Sequence, residues 1–397
     1  MMHSRPTTFN RRKLIPAMAA LIFPLLIDAC ARFRIEELQP SRIASLEIVA
    51  PNASNPNQLV QGRLAGRVPF NIPIKPITDG KYVYIADPAR RLVRVFTAGN
   101  GEPAKIIGAR AENVPEGLTF IKVRGGVPGW ITVGEGGNVF IEYRLFKEDP
   151  ADKKTADKNR KVPSAVTPDQ RLPGIFNTGD RKASPSVIYQ INEDDKVAGV
   201  IGLEGPADKP FGRILRMDAG PDGTLFVCHE QGNKKVFSVY RGGNRISHYD
   251  AFAPGTEQER KKLYVEIEDY APSPDGKFIV ASAVFKEKNS GFRTLYRRIY
   301  RLDTPESKPV QLHQTDDEHD FFAWSRPDGG FYLMRDRDRD GTSILFKIYS
   351  KDGEYLNNRL VRFPGLRTSW RETYLDLAGK IYTSRLYRGR IDLYEWR

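Results

Sequence analysis

Hydrophobic positions along the chain follow one recurring pattern: a short apolar run, a tight turn, and a second run of alternating β-branched and aromatic residues. This alternation is typical of β-strands joined by hairpins. Asp-Gly pairs are favoured in such turns because glycine adopts positive φ angles without steric cost. The turns with their following strands are Thr78–Gly80 before Tyr82–Ile85, Pro221–Gly223 before Leu225–Val227, Pro274–Gly276 before Phe278–Val280, Pro327–Gly329 before Phe331–Leu333, and, more weakly, Gly136–Asn138 and Ala378–Lys380.

The turn glycines have a nearly regular spacing. They stand at positions 80, 137, 223, 276, 329 and 379, so that the intervals are 57, 86, 53, 53 and 50 residues. The long interval contains a charged insertion at 147–185, which is rich in Pro and Lys and has little apolar periodicity. Without those 39 residues the interval is 47, close to the others. The pattern predicts an all-β protein, a β-propeller of six four-stranded blades.

The sixth unit ends one strand early, because 390–396 is its third strand and the chain stops at 397. We expect the missing outer strand to come from the N-terminal segment Ile43–Val49, which would close the ring and leave no open sheet edge. A seven-bladed ring is the alternative, with the insertion counted as a degenerate blade. The propeller is predicted to occupy 43–397.

The first thirty residues have the three parts of an export signal. Arg11, Arg12 and Lys13 precede an apolar stretch at 14–27, which is short for a permanent membrane span. Ala29-Cys30 then resembles a lipobox, although Asp28 departs from its common pattern. The sequence therefore predicts a signal peptide at 1–29, lipidation of Cys30 and a lipidated tether at 30–42. Ordinary signal cleavage beside an incidental cysteine is the alternative.

Residues 76–108 resemble a blade of the NHL type. The wider layout resembles a family of uncharacterised spirochaetal propeller lipoproteins: a lipobox, a short N-terminal strand, the first blade, a charged insertion, and then the stretches PSVIYQINEDDKVAGVIG, KPFGRILRM and TLFVCHE. The resemblance implies an extracytoplasmic protein, lipid-anchored in the cell membrane or outer membrane. It carries over no catalytic residues.

The net charge indicates the kind of partner, and the second cysteine indicates a buried position. The net charge is +13, of which residues 1–29 hold four basic groups and one acidic group, so the mature chain has +10. This balance favours acidic partners, while the export signal and the lack of a recognition motif argue against nucleic acid. Cys228 lies in a β-type run and is expected to be a small buried side chain.

One stretch has the alternating acids of a calcium loop. Asp336, Asp338 and Asp340 could present oxygens to Ca²⁺, but Lys347 stands where an EF-hand needs glutamate. A hairpin with salt-bridged acids is the alternative. The run 316–320, with His319 among its acids, could likewise be a metal site or a solvated turn. No other cofactor is predicted.

Three functions agree with these features. The leading hypothesis is a non-catalytic binding or scaffold lipoprotein of the cell envelope, with the membrane and another envelope or host macromolecule as partners. The second is an extracytoplasmic hydrolase or lactonase with its site in the propeller funnel. The third is a surface adhesin for acidic host polysaccharide. The catalytic motifs sought, a GxSxG elbow and a P-loop, are missing from the sequence, which leaves enzymatic activity undecided but disfavoured.

Overall fold

A computed structural model describes most of the chain from residue 35 onward. The described residues are 35–49, 59–60, 76–88, 90–109, 114, 116–123, 126–134, 137–145, 186–202, 211–220, 223–231, 234–250, 252–273, 276–288, 293–336, 342–363, 373–376, 379–387 and 390–397. The signal segment, Cys30 and the insertion at 147–185 lie outside them. No helix in the described part is long and apolar enough to cross a bilayer.

Strands dominate the described residues. The first sixteen are β1 Ile35–Glu37, β2 Pro40–Val49, β3 Leu59–Val60, β4 Ile77–Thr78, β5 Tyr82–Asp87, β6 Leu92–Thr97, β7 Pro103–Gly108, β8 Thr119–Lys122, β9 Val127–Val133, β10 Val139–Arg144, β11 Ser186–Ile191, β12 Val197–Ile201, β13 Ile214–Ala219, β14 Leu225–Gln231, β15 Lys234–Arg241 and β16 Asn244–Tyr249. A short helix, α1 Glu257–Lys262, follows. The remaining strands are β17 Leu263–Pro272, β18 Ile279–Glu287, β19 Thr294–Leu302, β20 Val310–Thr315, β21 Phe321–Ser325, β22 Phe331–Asp336, β23 Ser343–Tyr349, β24 Tyr355–Arg362, β25 Thr373–Leu375, β26 Ile381–Tyr387 and β27 Arg390–Trp396.

These strands form a six-bladed β-propeller of antiparallel four-stranded sheets, as predicted. Blades 1 to 5 are β4–β7, β9–β12, β13–β16, β17–β20 and β21–β24, and blade 6 is β25–β27 with β2. β10 pairs directly with β11, so the insertion interrupts blade 2 without adding a seventh blade. Three short strands lie outside the repeat: β8 beside β7, β3 beside β2, and β1 on the outer edge of blade 5.

The N-terminal closure is confirmed. β2 pairs with β27 from Pro40 opposite Trp396 to Glu47 opposite Arg390, so the first long strand completes the last blade. The pairing begins earlier than expected, because residues 35–42 of the predicted tether belong to β1, β2 and the two residues between them.

All six predicted turn glycines have positive φ, between 68° and 89°, and each lies between the first and second strands of its blade. Asp79 shows how the turn is set: its side chain accepts hydrogen bonds from the backbone N–H groups of Lys81 and Tyr82 at 2.8 and 2.6 Å. The repeat visible in the sequence is therefore a repeat of local turn geometry.

The core lies between blades. Val280 and Ile299 of blade 4, Phe331 of blade 5 and Ile381 of blade 6 belong to one buried cluster. Burial of each such side chain stabilises a fold by about 1.5–3 kcal/mol. Packing between neighbouring blades therefore holds the ring together.

The antiparallel order gives the disc two distinct faces. Connections between strands 1 and 2, and between strands 3 and 4, emerge on one side, which we name the turn face. Connections between strands 2 and 3, and from strand 4 to the next blade, emerge on the other side, the crossover face. The insertion joins strands 2 and 3 of blade 2, so its two ends start at the crossover face.

Candidate functional site

The roots of the insertion are fixed to the crossover face by a fully buried carboxylate. Glu142 Oε2 accepts a hydrogen bond from the backbone N–H of Trp130 at 2.9 Å. Its Oε1 accepts from the Ser186 hydroxyl at 2.8 Å and from Arg144 Nε at 3.2 Å. Since Arg144 and Ser186 are register partners on either side of the insertion, both of its ends start from a rigid base.

The described turn-face connections are acidic, whereas two of the crossover connections are basic in sequence. The described connections of the turn face hold eleven acidic and seven basic residues: Asp79, Glu102, Glu193, Asp194, Asp195, Asp303, Glu306, Asp328, Asp352, Glu354 and Asp376, against Lys81, Lys196, Lys277, Lys308, Arg326, Lys351 and Lys380. On the crossover side, the insertion has nine Lys and Arg against six Asp and Glu. The connection 50–75 adds Arg63, Arg67 and Lys75 and no acid. The turn face is thus negative, and these two connections have an excess of basic residues in the sequence.

The inner strands bulge in four consecutive blades. The ladder between strands 1 and 2 shifts register in blades 2, 3, 4 and 5, where Leu215, Glu268 and Ala323 are the extra residues of blades 3, 4 and 5. A bulge redirects side chains and is common near functional sites. Here the bulge residue Glu268 pairs with Arg297, and Arg216, next to the bulge residue Leu215, pairs with Asp269 of blade 4.

Arg216 joins three blades near the ring centre. Its Nη1 lies 3.0 Å from Asp269 Oδ2 of blade 4, and its Nε lies 3.4 Å from Asp218 Oδ2. Its guanidinium carbon is 3.3 Å from the ring centroid of Trp324 of blade 5, a fully buried side chain. The half-buried cation therefore has partners on either side.

Glu268 and Arg297 form a second pair. Arg297 Nε and Nη2 donate to Glu268 Oε2 and Oε1 at 2.7 and 3.0 Å, and the Ser282 hydroxyl donates to Oε2 at 3.1 Å. Nη1 of Arg297 donates to the backbone carbonyl of Asp320 in blade 5. The bidentate pair orients the Arg297 guanidinium within blade 4, and its third nitrogen then links blade 4 to blade 5.

The acidic run at 316–320 is tied into the fold. Asp320 is 1% exposed, and its Oδ2 lies 2.6 Å from Lys347 Nζ and accepts from the Thr315 hydroxyl at 3.1 Å. Arg335 Nε is 3.2 Å from Asp320 Oδ1, while its Nη1 pairs with Asp317 at 2.8 Å. The structure thus gives Asp320 and Asp317 a role in joining strands.

The predicted metal and lipid residues fall at the edge of the described part. Asp336 ends β22, whereas Asp338, Asp340 and Cys30 lie outside the described residues. Among the described residues no three His, Cys, Asp or Glu side chains are grouped to hold a metal ion. The calcium loop and the lipidated cysteine stay predictions. Cys228 is buried as expected, and burial raises the pKa of its thiol.

Blade 3 contains a hydrogen-bonded chain of side chains that no sequence motif predicts. His229 Nε2 lies 3.2 Å from Ser238 Oγ, which lies 2.8 Å from His248 Nδ1, and His248 Nε2 lies 3.4 Å from Asp250. Ser238 is fully buried and cannot meet a substrate. Burial lowers the pKa of His229 to about 4. The three strands bring together residues that no sequence motif connects.

No protein-family model matches the sequence, and no curated protein matches it. Among solved structures, the chain is similar to hydrazine synthase of Kuenenia stuttgartiensis, with 12% identity over 80% of this chain and 82% of that chain and a TM-score of 0.42. It is also similar to streptogramin B lyase, with 11% identity, coverage of 90% and 98%, and a TM-score of 0.36. A protein from Lactobacillus plantarum has 10% identity, coverage of 71% and 72%, and a TM-score of 0.34.

These likenesses are too distant to carry an argument about activity. The propeller fold rests on the strand pairing of the chain itself. The predicted spirochaetal lipoprotein family stays a prediction, since no family model matches.

Proposed function

We propose that the protein is a lipid-anchored, extracytoplasmic component of the cell envelope whose propeller is a non-catalytic binding module. Cys30 is the lipidated first residue of the mature chain. The crossover face binds a polyanionic envelope or host macromolecule through the insertion at 147–185. The observation that carries this proposal is the buried Glu142, which fixes both roots of the charged insertion to a rigid ring.

Loops on a rigid scaffold are common binding elements, because variation in the loop leaves the core unchanged. The charged side chains around the ring centre are already engaged: Arg216 with Asp269, and Arg297 with Glu268. These pairs support a scaffold role for the inner strands. The excess of basic residues in the insertion supports an acidic partner.

Lipidation is tested by metabolic labelling with an azido fatty acid in a bacterial host. Wild-type protein is expected to carry the label and to sediment with membranes. Cys30→Ser should lose both properties, whereas Cys228→Ser should keep them. Unlabelled wild-type protein would contradict the anchor.

Polyanion binding is tested with heparin as the probe and the mature domain in solution. Replacement of 147–185 by Asn-Gly should weaken binding about tenfold or more at low salt, because nine basic and six acidic residues, a net charge of +3, are removed. Lys308→Ala with Lys351→Ala, on the turn face, is the matched control and should leave binding unchanged. Equal affinities for the wild type and the shortened variant would refute this role of the insertion.

The hydrolase or lactonase alternative concerns the funnel and not the insertion. Turnover of lactone or ester substrates that is lost in Glu268→Gln, with Arg216→Gln as a second variant, would favour that alternative. The adhesin alternative shares the polyanion test, with host glycosaminoglycan as the natural ligand.

A further inference from the structure

The anchor point is much closer to the propeller than the sequence indicates. β1 begins at Ile35, which pairs with Asn358 on the outer edge of blade 5. Ile35 is the fifth residue after Cys30, so their α-carbons are at most about 18 Å apart, however the segment runs. A lipid on Cys30 would therefore enter the bilayer beside the outer edge of blade 5.

The same edge exposes apolar side chains. Ile35 is 38% exposed and Leu356 41%. Both lie on the outermost pair of strands, since Leu356 is two residues before Asn358, the register partner of Ile35. Val310, at the start of the outer strand of blade 4, is 47% exposed. Blades 4 and 5 touch here, because Gly353 lies against the backbone carbonyl of Leu312.

The faces of the disc are less suited to lie on a membrane. The turn face holds more acidic than basic residues, and anionic head groups repel such a surface. The crossover face carries the insertion, which has 39 residues. The outer edge of blades 4 and 5 thus combines proximity to the anchor with exposed apolar side chains.

We propose that this edge, marked by Ile35, Leu356 and Val310, docks on the phospholipid bilayer. The inference rests on the proposed lipidation of Cys30 and adds an orientation: the disc stands on its edge, with blade 5 nearest the membrane and blade 2 farthest. Both faces then remain open to soluble or neighbouring macromolecules.

The test uses tryptophan as a depth probe. The mature chain, beginning at Cys30, is coupled through that thiol to a maleimide lipid in vesicles of phosphatidylcholine and phosphatidylglycerol. Cys228 is buried and its thiol pKa is raised, so coupling is directed to Cys30. Leu356→Trp and Val197→Trp are compared with the parent chain, with brominated or ordinary acyl chains.

Val197 is the matched control. It begins the outer strand of blade 2, opposite blade 5 in the ring, and is 37% exposed, close to Leu356. Three strand spacings on each side of the axis place the two positions roughly 30 Å or more apart. The substitutions are apolar, lie at exposed sites and leave the core unchanged.

The added fluorescence of Leu356→Trp is expected to fall at least about twofold in brominated vesicles, and that of Val197→Trp to stay unchanged. Equal quenching of both would show a disc lying flat, and no quenching of either would show a disc held off the bilayer. Both results overturn the proposal. Because coupling is chemical, the result does not depend on lipidation in cells, so failure of the labelling experiment and failure of docking are distinguishable.

Discussion

The connections on the two faces of the disc are held by different kinds of contact. On the turn face, short connections are set by local chemistry, as in the turn where Asp79 binds the backbone of Lys81 and Tyr82. On the crossover face, connections vary in length up to the insertion and are fixed by contacts between distant residues, such as Asp320 with Lys347. The repeat therefore resides on the turn face, and the features specific to this protein reside on the crossover face.

This difference predicts which substitutions should lower the stability of the fold most. A local turn loses one hydrogen bond or gains one strained residue when it is changed. A buried charge on the crossover face leaves several partners uncompensated when it is removed. Removal of a buried crossover charge should therefore cost more stability than removal of a turn-face side chain.

The largest effect is expected at Asp320. Asp320→Ala leaves Lys347 and Arg335 without their buried carboxylate and should lower the free energy of unfolding by about 3–5 kcal/mol. Asp328→Ala on the turn face removes an exposed partner of Arg326 and should cost about 1 kcal/mol or less. Urea denaturation measures both. Similar losses would break the distinction between the faces.

The next effect lies where the turn face meets a neighbouring blade. Gly353 has φ +85°, and an added Cβ would overlap the Leu312 carbonyl, so that Gly353→Ala should cost about 3 kcal/mol. Gly80 has φ +88° with open space around it, and Gly80→Ala should cost about 1 kcal/mol. The two glycines differ only in surroundings. Equal melting temperatures of the two variants would contradict the contact between blades 4 and 5.

A pH dependence is expected from His229. Its pKa is lowered to about 4 in the fold, against about 6.5 in the unfolded chain, so the unfolded state binds the proton first as the pH falls. Stability that is present above pH 6.5 should decline toward pH 4, by about 2 kcal/mol at pH 5. Unfolding measured from pH 7 to 5 should show a smaller slope in His229→Gln. The exposed His319 is the control, and His319→Gln should leave the slope unchanged.

The smallest effect separates two acids in the first turn of α1. Glu257 makes an exposed ion pair with Lys261, and Glu257→Ala should change stability by less than about 0.5 kcal/mol. Glu259 completes the capping box with Thr256 and binds Arg298, so Glu259→Ala should cost about 1 kcal/mol. Thermal unfolding measures both. A larger loss at Glu257 would show that this crossover segment depends on its surface charges.

The parts of the fold that are set by residues adjacent in the sequence could be predicted. Asp-Gly turns and alternating strands led to six blades, and the unpaired 390–396 strand led to its N-terminal partner. Short parallel strands such as β1 and β8 have too few residues to show a period. The bulges were also missed, because an extra residue in one strand leaves the apolar pattern nearly intact.

The candidate site was less predictable than the fold. The charge of the insertion is visible in the sequence, but the burial of Glu142 beneath it depends on Trp130 and Ser186. The contact of Arg216 with Trp324 joins blades that are not adjacent in the chain. Both contacts join residues that are far apart in the chain, so the residues on either side of each position do not encode them.

The three-residue strand β1 has a mechanical consequence. β1 is the first described strand after Cys30, so force on the proposed lipid would reach the β1–β24 pairs before the β2–β27 ladder. Loss of the three β1–β24 pairs would lengthen the linker between Cys30 and the propeller by a few residues. The seven β2–β27 pairs would still close the ring. Under such a force β1 would detach from blade 5 first, and the propeller would stay closed.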